Sequence, residues 1–170
     1  MRNSSVYSSL KKIVAAYNAT LQEIPEDQFQ LTPPIGGWSY SEVYSHIFDL
    51  SLLSLGEIEK CIQGEGKIKP TAFVVKMILF LGSFPPKAKY KVPKALQGRE
   101  QKITKAAAAD FIEKFLEQLN IVYSQLHLAD SAIKTRHPRL GYLNARQWFR
   151  FTEIHLNHHL KQLKRIEKSF

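Results

Sequence analysis

The sequence predicts an all-α fold: a four-helix bundle with a short extra helix and a Pro/Lys-rich loop between the second and third long helices. Three observations predict it. Four segments of about twenty residues carry apolar side chains at spacings of three and four. Two of them begin at residues suited to capping a helix or directly after a turn-forming stretch. No pair of segments reads convincingly as strands, and there is no internal repeat or low-complexity tract. With 170 residues, 44% of them apolar, the chain suits one globular domain over 1–170 with a sizeable core.

The first helix is expected from Ser5 to Leu21, with Val6, Leu10, Val14, Tyr17 and Leu21 on one face. The second follows PPIGGW. Ser39 is a natural N-cap, and Glu42 three residues on completes a capping box. This helix runs to Ile62 and stops before GEG. Ala72 to Leu81 reads as a short buried helix. Phe84 to Gln101 reads as an ordered surface loop, because Pro85, Pro86 and Pro93 block regular structure. The third long helix starts near Thr104 and carries Phe111, Phe115, Leu119, Val122 and Leu126. The fourth starts near Asn144, after the turn-forming HPRLGYL, and runs nearly to the end.

Charge and cysteine usage narrow the function classes. The chain holds 24 Lys and Arg against 15 Asp and Glu, a net charge of +9. Such an excess favours anionic partners (nucleic acid, a membrane surface or an acidic small molecule) without choosing among them, and a solvated, solubilising surface accounts for it equally. The basic residues concentrate in PPKAKYKVPKALQGREQKITK (85–105), which could attract an anionic cofactor or substrate, and on the last helix. No helix-turn-helix, zinc-finger or aromatic-platform signature supports a nucleic-acid partner. Cys61 is the only cysteine, which excludes an internal disulfide and a thiolate cluster. The N-terminus is not of the signal-peptide kind. The most apolar stretch, TAFVVKMILFLGSF (71–84), is short for a bilayer and contains Lys76. A cytoplasmic protein with no membrane partner is the expectation.

Three of the six histidines crowd into EIHLNHHLKQ (153–162). With His155 at zero on a helical wheel, Trp148 lies at about 20°, Phe151 at about −40°, His159 at about 40° and Gln162 at about −20°. Arg146, Arg150, Lys161, Lys164 and Lys168 gather on the far side, and His158 falls at about 300°, at the edge of that basic face. His155 and His159 thus face inward at i,i+4, a spacing that can aim two imidazoles at one point. A pair of core histidines is the competing reading, but each would then need its own hydrogen-bond partner, and each disfavours protonation of the other. On the second helix, His46 stands in an apolar stripe with Val43, Leu50 and Leu53. Alone it reads as core. Beside the other two it is a third ligand from a facing helix, as bundles often provide.

These residues carry a resemblance. GGWSYSEVYSHIFDL (36–50) resembles the WS-x-x-E-V-x-x-H segment of the DinB/YfiT superfamily. HPRLGYLNARQWFRFTEIHLNHHLKQL (137–163) resembles its closing segment, H-P-x-x-G-x-L-x-x-x-x-W-x-x-F-x-x-x-H-x-x-H-H-x-x-Q. The resemblance implies a four-helix bundle holding a divalent metal, zinc or nickel among others, on His46, His155 and His159. It further implies chemistry such as transfer of a low-molecular-weight thiol to an electrophile, or hydrolysis. Dimers are common in the family, which leaves a homodimer open.

The leading expectation is therefore a metal-dependent hydrolase or thiol S-transferase acting on a small-molecule substrate, anionic if the basic loop serves it. Three imidazoles with open positions can activate a water or a thiol. Glu42 and Gln162 could orient a ligand imidazole or a metal-bound water, though Glu42 is also accounted for by the capping box. His158 is a supporting residue at the boundary, and Asp49 either supports the site or is solvated. Tyr44 and Cys61 carry no catalytic signal. The alternative is a non-catalytic metal-binding or stress-response bundle.

Overall fold

The computed structural model describes residues 3–85 and 101–170. The chain is mainly helical. Its elements run α1 (Asn3–Glu23), α2 (Glu26–Phe29), α3 (Tyr40–Ile62), β1 (Lys67–Ile68), α4 (Phe73–Leu81), α5 (Lys105–Gln125), a 3-10 turn at Leu126–Leu128, β2 (Ile133–His137), β3 (Gly141–Leu143) and α6 (Ala145–Glu167). The four long helices form where the apolar spacing places them. α3 packs against α6 and α5, and α1 packs against the same two. Their inward faces meet in a core whose largest fully buried side chains include Tyr17, Phe29, Tyr44, Phe48, Phe115 and Phe149.

Caps set where α3 and α6 begin. At the start of α3, the Ser39 N–H donates to Glu42 Oε2 at 2.8 Å, and the Glu42 N–H donates back to Ser39 Oγ at 3.3 Å. α6 opens with a second box: the Gln147 N–H donates to Asn144 Oδ1 and the Asn144 N–H to Gln147 Oε1, both at 3.0 Å. Each box satisfies two main-chain donors that a helix start leaves over. Ser41, in the first turn of α3, ties the returning chain to that helix by accepting from the Ile103 N–H at 2.6 Å.

Two expectations are corrected. A small antiparallel sheet, ordered β1-β2-β3, stands beside the helices where no strand pair was expected, while the chain remains mainly helical, consistent with the all-α class. Lys67 pairs with Lys134, and Thr135, Arg136 and His137 pair with Leu143, Tyr142 and Gly141. The strands have two, five and three residues, too few for a period-two pattern to stand out, and Thr135 is the only buried residue of β2. Gly141 turns the β2–β3 hairpin at φ 75°, a conformation that costs glycine little. The second correction concerns α4, read from sequence as buried. The helix forms, but only Val75, Ile78 and Leu79 are buried. The surface loop expected from Phe84 to Gln101, and most of the basic stretch 85–105, lie outside the described residues.

Candidate metal centre

The core of α3 and α6 delivers three imidazoles to one place. His46 comes from the buried face of α3, and His155 and His159 from that of α6. One ring nitrogen from each lies within 4.8 Å of the other two. The ring centres are 4.8 Å apart for His155 and His159, 5.0 Å for His46 and His159, and 5.8 Å for His46 and His155. The inward phase of residues four apart on α6 meets the apolar stripe of α3 because these two helices pack against each other along their length.

Electrostatics favour the neutral form of the two α6 rings. Burial, followed by the neighbouring charge of His159 and His46, holds His155 well below the ordinary histidine range. Burial, with His46 and His158 next, pushes His159 down to about 3 against a smaller opposing effect of its bond to Gln162. Neutral imidazole is the form that can bind a metal. Gln162 Oε1 lies 2.8 Å from His159 Nδ1. An amide oxygen only accepts, so with that oxygen facing the ring, Nδ1 carries the proton and Nε2 presents its lone pair.

The three rings border a cavity of about 370 Å³. Its walls are mostly apolar and aromatic: Leu50, Leu53, Phe84, Leu140, Trp148 and Phe151, with Trp38 over the histidines. The Trp38 ring centre is 4.6 Å from that of His46 and 6.2 Å from that of His159. Arg136, Arg139 and Glu57 add charge to the lining, and Glu57 is paired with Lys60 at 2.6 Å. A space of this size and character suits a small molecule with an apolar body.

The residues singled out from sequence separate cleanly. His46, His155 and His159 come together, and Gln162 reaches His159. His158 lines the cavity, though its side chain is exposed, and its ring centre is 5.5 Å from that of Phe84. The Glu42 carboxylate is engaged by Ser39, whose Oγ donates to it at 2.6 Å, and is not part of the cavity wall. Asp49, Tyr44 and Cys61 are not part of it either. Tyr44 is core, donating to the Tyr17 carbonyl at 2.7 Å. The Cys61 thiol sits 3.7 Å from Thr135 Oγ1 and is pushed up by burial.

Sequence reasoning gave no role to His137, Trp38 or Arg136. His137 ends β2, and its Nδ1 accepts from the Arg139 and Leu140 main-chain N–H groups at 3.1 and 3.0 Å. That fixes the tautomer: Nε2 carries the proton of a neutral ring. Burial and the Arg139 charge push this histidine down to about 4, so it is neutral at physiological pH. Its ring packs against Trp148 and Phe151, with centres 5.1 and 4.7 Å away. Trp148 is held in turn by its indole N–H, which donates to Thr135 Oγ1 at 2.8 Å. The H-P-x-x-G spacing was the available signal for His137, since a histidine followed by a tight turn can fold back onto the turn's own N–H groups.

Residues 10–163 match the family model of the DinB superfamily. The chain belongs to the DinB superfamily. No curated protein and no solved structure shows a significant match to it. The matched range contains all of α3, the β2–β3 hairpin and α6 as far as Leu163, so the three converging histidines lie within the part shared with the DinB superfamily. Metal binding is frequent in that superfamily, and the three-histidine group here could hold an ion. No helix among the described residues is long and apolar enough to cross a membrane.

Proposed function

We propose that the chain is a metal-dependent enzyme built on a four-helix bundle, in which His46, His155 and His159 hold a divalent ion beside a substrate cavity. One observation carries the reading: ring nitrogens from two helices far apart in sequence lie within 4.8 Å of one another where the cavity meets the core. The donor set fits such an ion. All three groups are imidazoles, which suit zinc and nickel, and burial keeps His155 and His159 in the neutral, ligating form. Nitrogens held by one tetrahedral zinc lie about 3.4 Å apart, so a pair near the observed limit would close by somewhat more than an ångström through rotation of the two side chains. A bound ion of this kind supplies Lewis acidity that makes a water or a low-molecular-weight thiol nucleophilic near neutral pH.

The chain's own residues supply the rest. Gln162 holds the His159 ring in one tautomer. Trp38, Phe84 and Phe151 limit water access and offer an apolar bed. Arg136 and Arg139 favour an anionic substrate. The Nε2–H of His137 offers a donor to an acceptor oxygen of that substrate. Hydrolysis and S-transfer both suit this arrangement. A cavity that reaches the histidines favours turnover over a closed, purely structural site.

The test is metal content of protein purified without chelator and then offered zinc, nickel and manganese, with His155→Ala in parallel. One equivalent of metal in the wild type and its loss in the variant are expected. A wild type that takes up none of the three ions would sink the enzyme reading, and a variant that keeps full metal would sink the ligand assignment.

A further inference from the structure

α4 presents to solvent what a helix normally hides. Phe73, Val74, Met77, Phe80 and Leu81 are exposed, Phe73 by 74% and Phe80 by 80%. On a helical wheel with Phe73 at zero they occupy a single arc from about −20° to about 100°, while the buried Val75, Ile78 and Leu79 occupy about 140° to 240°. The apolar arc is not a frayed end. Arg150 of α6 donates from Nε to the Leu79 carbonyl at 3.1 Å and pairs with Glu153, and Gly82 caps the helix at φ 71° with its N–H on the Ile78 carbonyl. A contiguous patch of this kind on a soluble domain marks an interaction surface.

Charge selects the partner. Lys76 lies at about −60°, at the edge of the apolar arc. Exposed Lys67 and Lys69 precede the helix beside Ile68, itself 77% exposed. From position 66 to position 85 the charged residues are Lys67, Lys69 and Lys76, with no Asp or Glu among them. A second copy docking face to face would bring two such segments of like sign together. An anionic lipid surface instead meets both features at once: its acyl boundary takes the phenylalanines while its head groups take the lysines. We infer that α4 docks the protein peripherally on anionic bilayers, lying in the interface without crossing it. Sequence alone sets a membrane partner aside because 71–84 is short for a bilayer and contains Lys76, a ground that bears on spanning and not on lying in the interface. Phe84, three residues beyond α4, lines the cavity, so docking would also bring the cavity near the lipid surface.

The experiment is flotation of the purified full chain with phosphatidylcholine vesicles with and without phosphatidylglycerol, beside a Phe73→Ser/Phe80→Ser variant. Binding only to the anionic vesicles is expected, weakening as salt rises. The double variant should partition at least about tenfold more weakly, with unchanged helical circular dichroism, because both residues are exposed. Lack of binding at low salt would overturn the proposal, as would equal binding by the variant. Sedimentation showing a wild-type dimer that the variant converts to monomer, with no vesicle binding by either, would assign the surface to a second copy instead.

Discussion

Two polar clusters are buried on the same pair of helices, and they differ in where their polar atoms end. Tyr44 and His46 leave α3 two residues apart; on α6, Leu156 follows His155. In the first cluster every hydroxyl finishes on main chain: Tyr44 donates to the Tyr17 carbonyl and Tyr17 to the Leu156 carbonyl, both at 2.7 Å. The rings pack edge to face, with centres 5.6 Å apart. In the second, three imidazoles face one another beside an open cavity. Tyr17 and Tyr44 are fully buried, His46 and His159 nearly so and His155 half-buried, on neighbouring stretches of the same helices. The tyrosines close a network that specifies how α1, α3 and α6 pack, while the histidines leave coordinating capacity at the edge of the core. Polar burial by itself does not mark a site; convergence on a common open point does.

The sharpest way to break this contrast is to remove one imidazole. His46→Ala should lower metal affinity by more than the roughly 10–100-fold typical of losing an outer hydrogen-bond partner, read by competition with a chromogenic chelator. The metal-free fold should remain cooperative. Next in size is metal removal from the wild type. A ligand at about 100 times its dissociation constant stabilises the native state by about 2.7 kcal/mol. For a chain of this length, chelation should then lower Tm by about 5–10 °C; equal melting curves with and without metal would erase the distinction between the clusters. Gln162→Ala tests the hydrogen bond behind one of the proposed ligands, His159. It should weaken metal binding by about 10–100-fold and leave thermal stability of the metal-free protein unchanged.

The smallest effect sharpens the closed side. Tyr44→Phe should cost about 1 kcal/mol at neutral pH with metal affinity unaltered. Burial raises Tyr44 and Tyr17 above the ordinary phenol range. A raised folded-state value contributes stability that is complete below about pH 10, the unfolded value, and is lost as pH climbs beyond it. Each tyrosine loses about 1.4 kcal/mol per pH unit there. Urea titrations of wild type and Tyr44→Phe should therefore cross about one unit above pH 10. Parallel curves would mean that Tyr44 ionises as easily folded as unfolded.

Much of the helical layout was legible because helix ends are written locally. Ser39 with Glu42, Thr104 and Asn144 each stand at the N-cap where the structure finds them. The inward phase of His155 and His159 follows from helical pitch alone, and pairing them with His46 needed only that two apolar stripes meet. What escaped depended on tertiary position. His137 acquires its fixed tautomer from a hairpin whose strands are too short to announce themselves. Trp38 sits in the loop before α3, and no periodicity states that it covers the histidines. The exposure of α4 was hidden because an apolar segment of nine residues looks the same in sequence whether one face or all of it is covered. Glu42 shows the converse: the capping box was legible, and it engages the carboxylate.

The placement of Trp38 and Trp148 has one more consequence. They are the only two tryptophans in the chain, and both stand in the wall of the same chamber. Excited selectively, the protein's ultraviolet emission originates there and nowhere else. A quenching ion such as nickel arriving at the histidines, or an electrophile settling against the indoles, would alter that light without a label being attached. The molecule thus carries its own optical reporter for whatever enters that chamber.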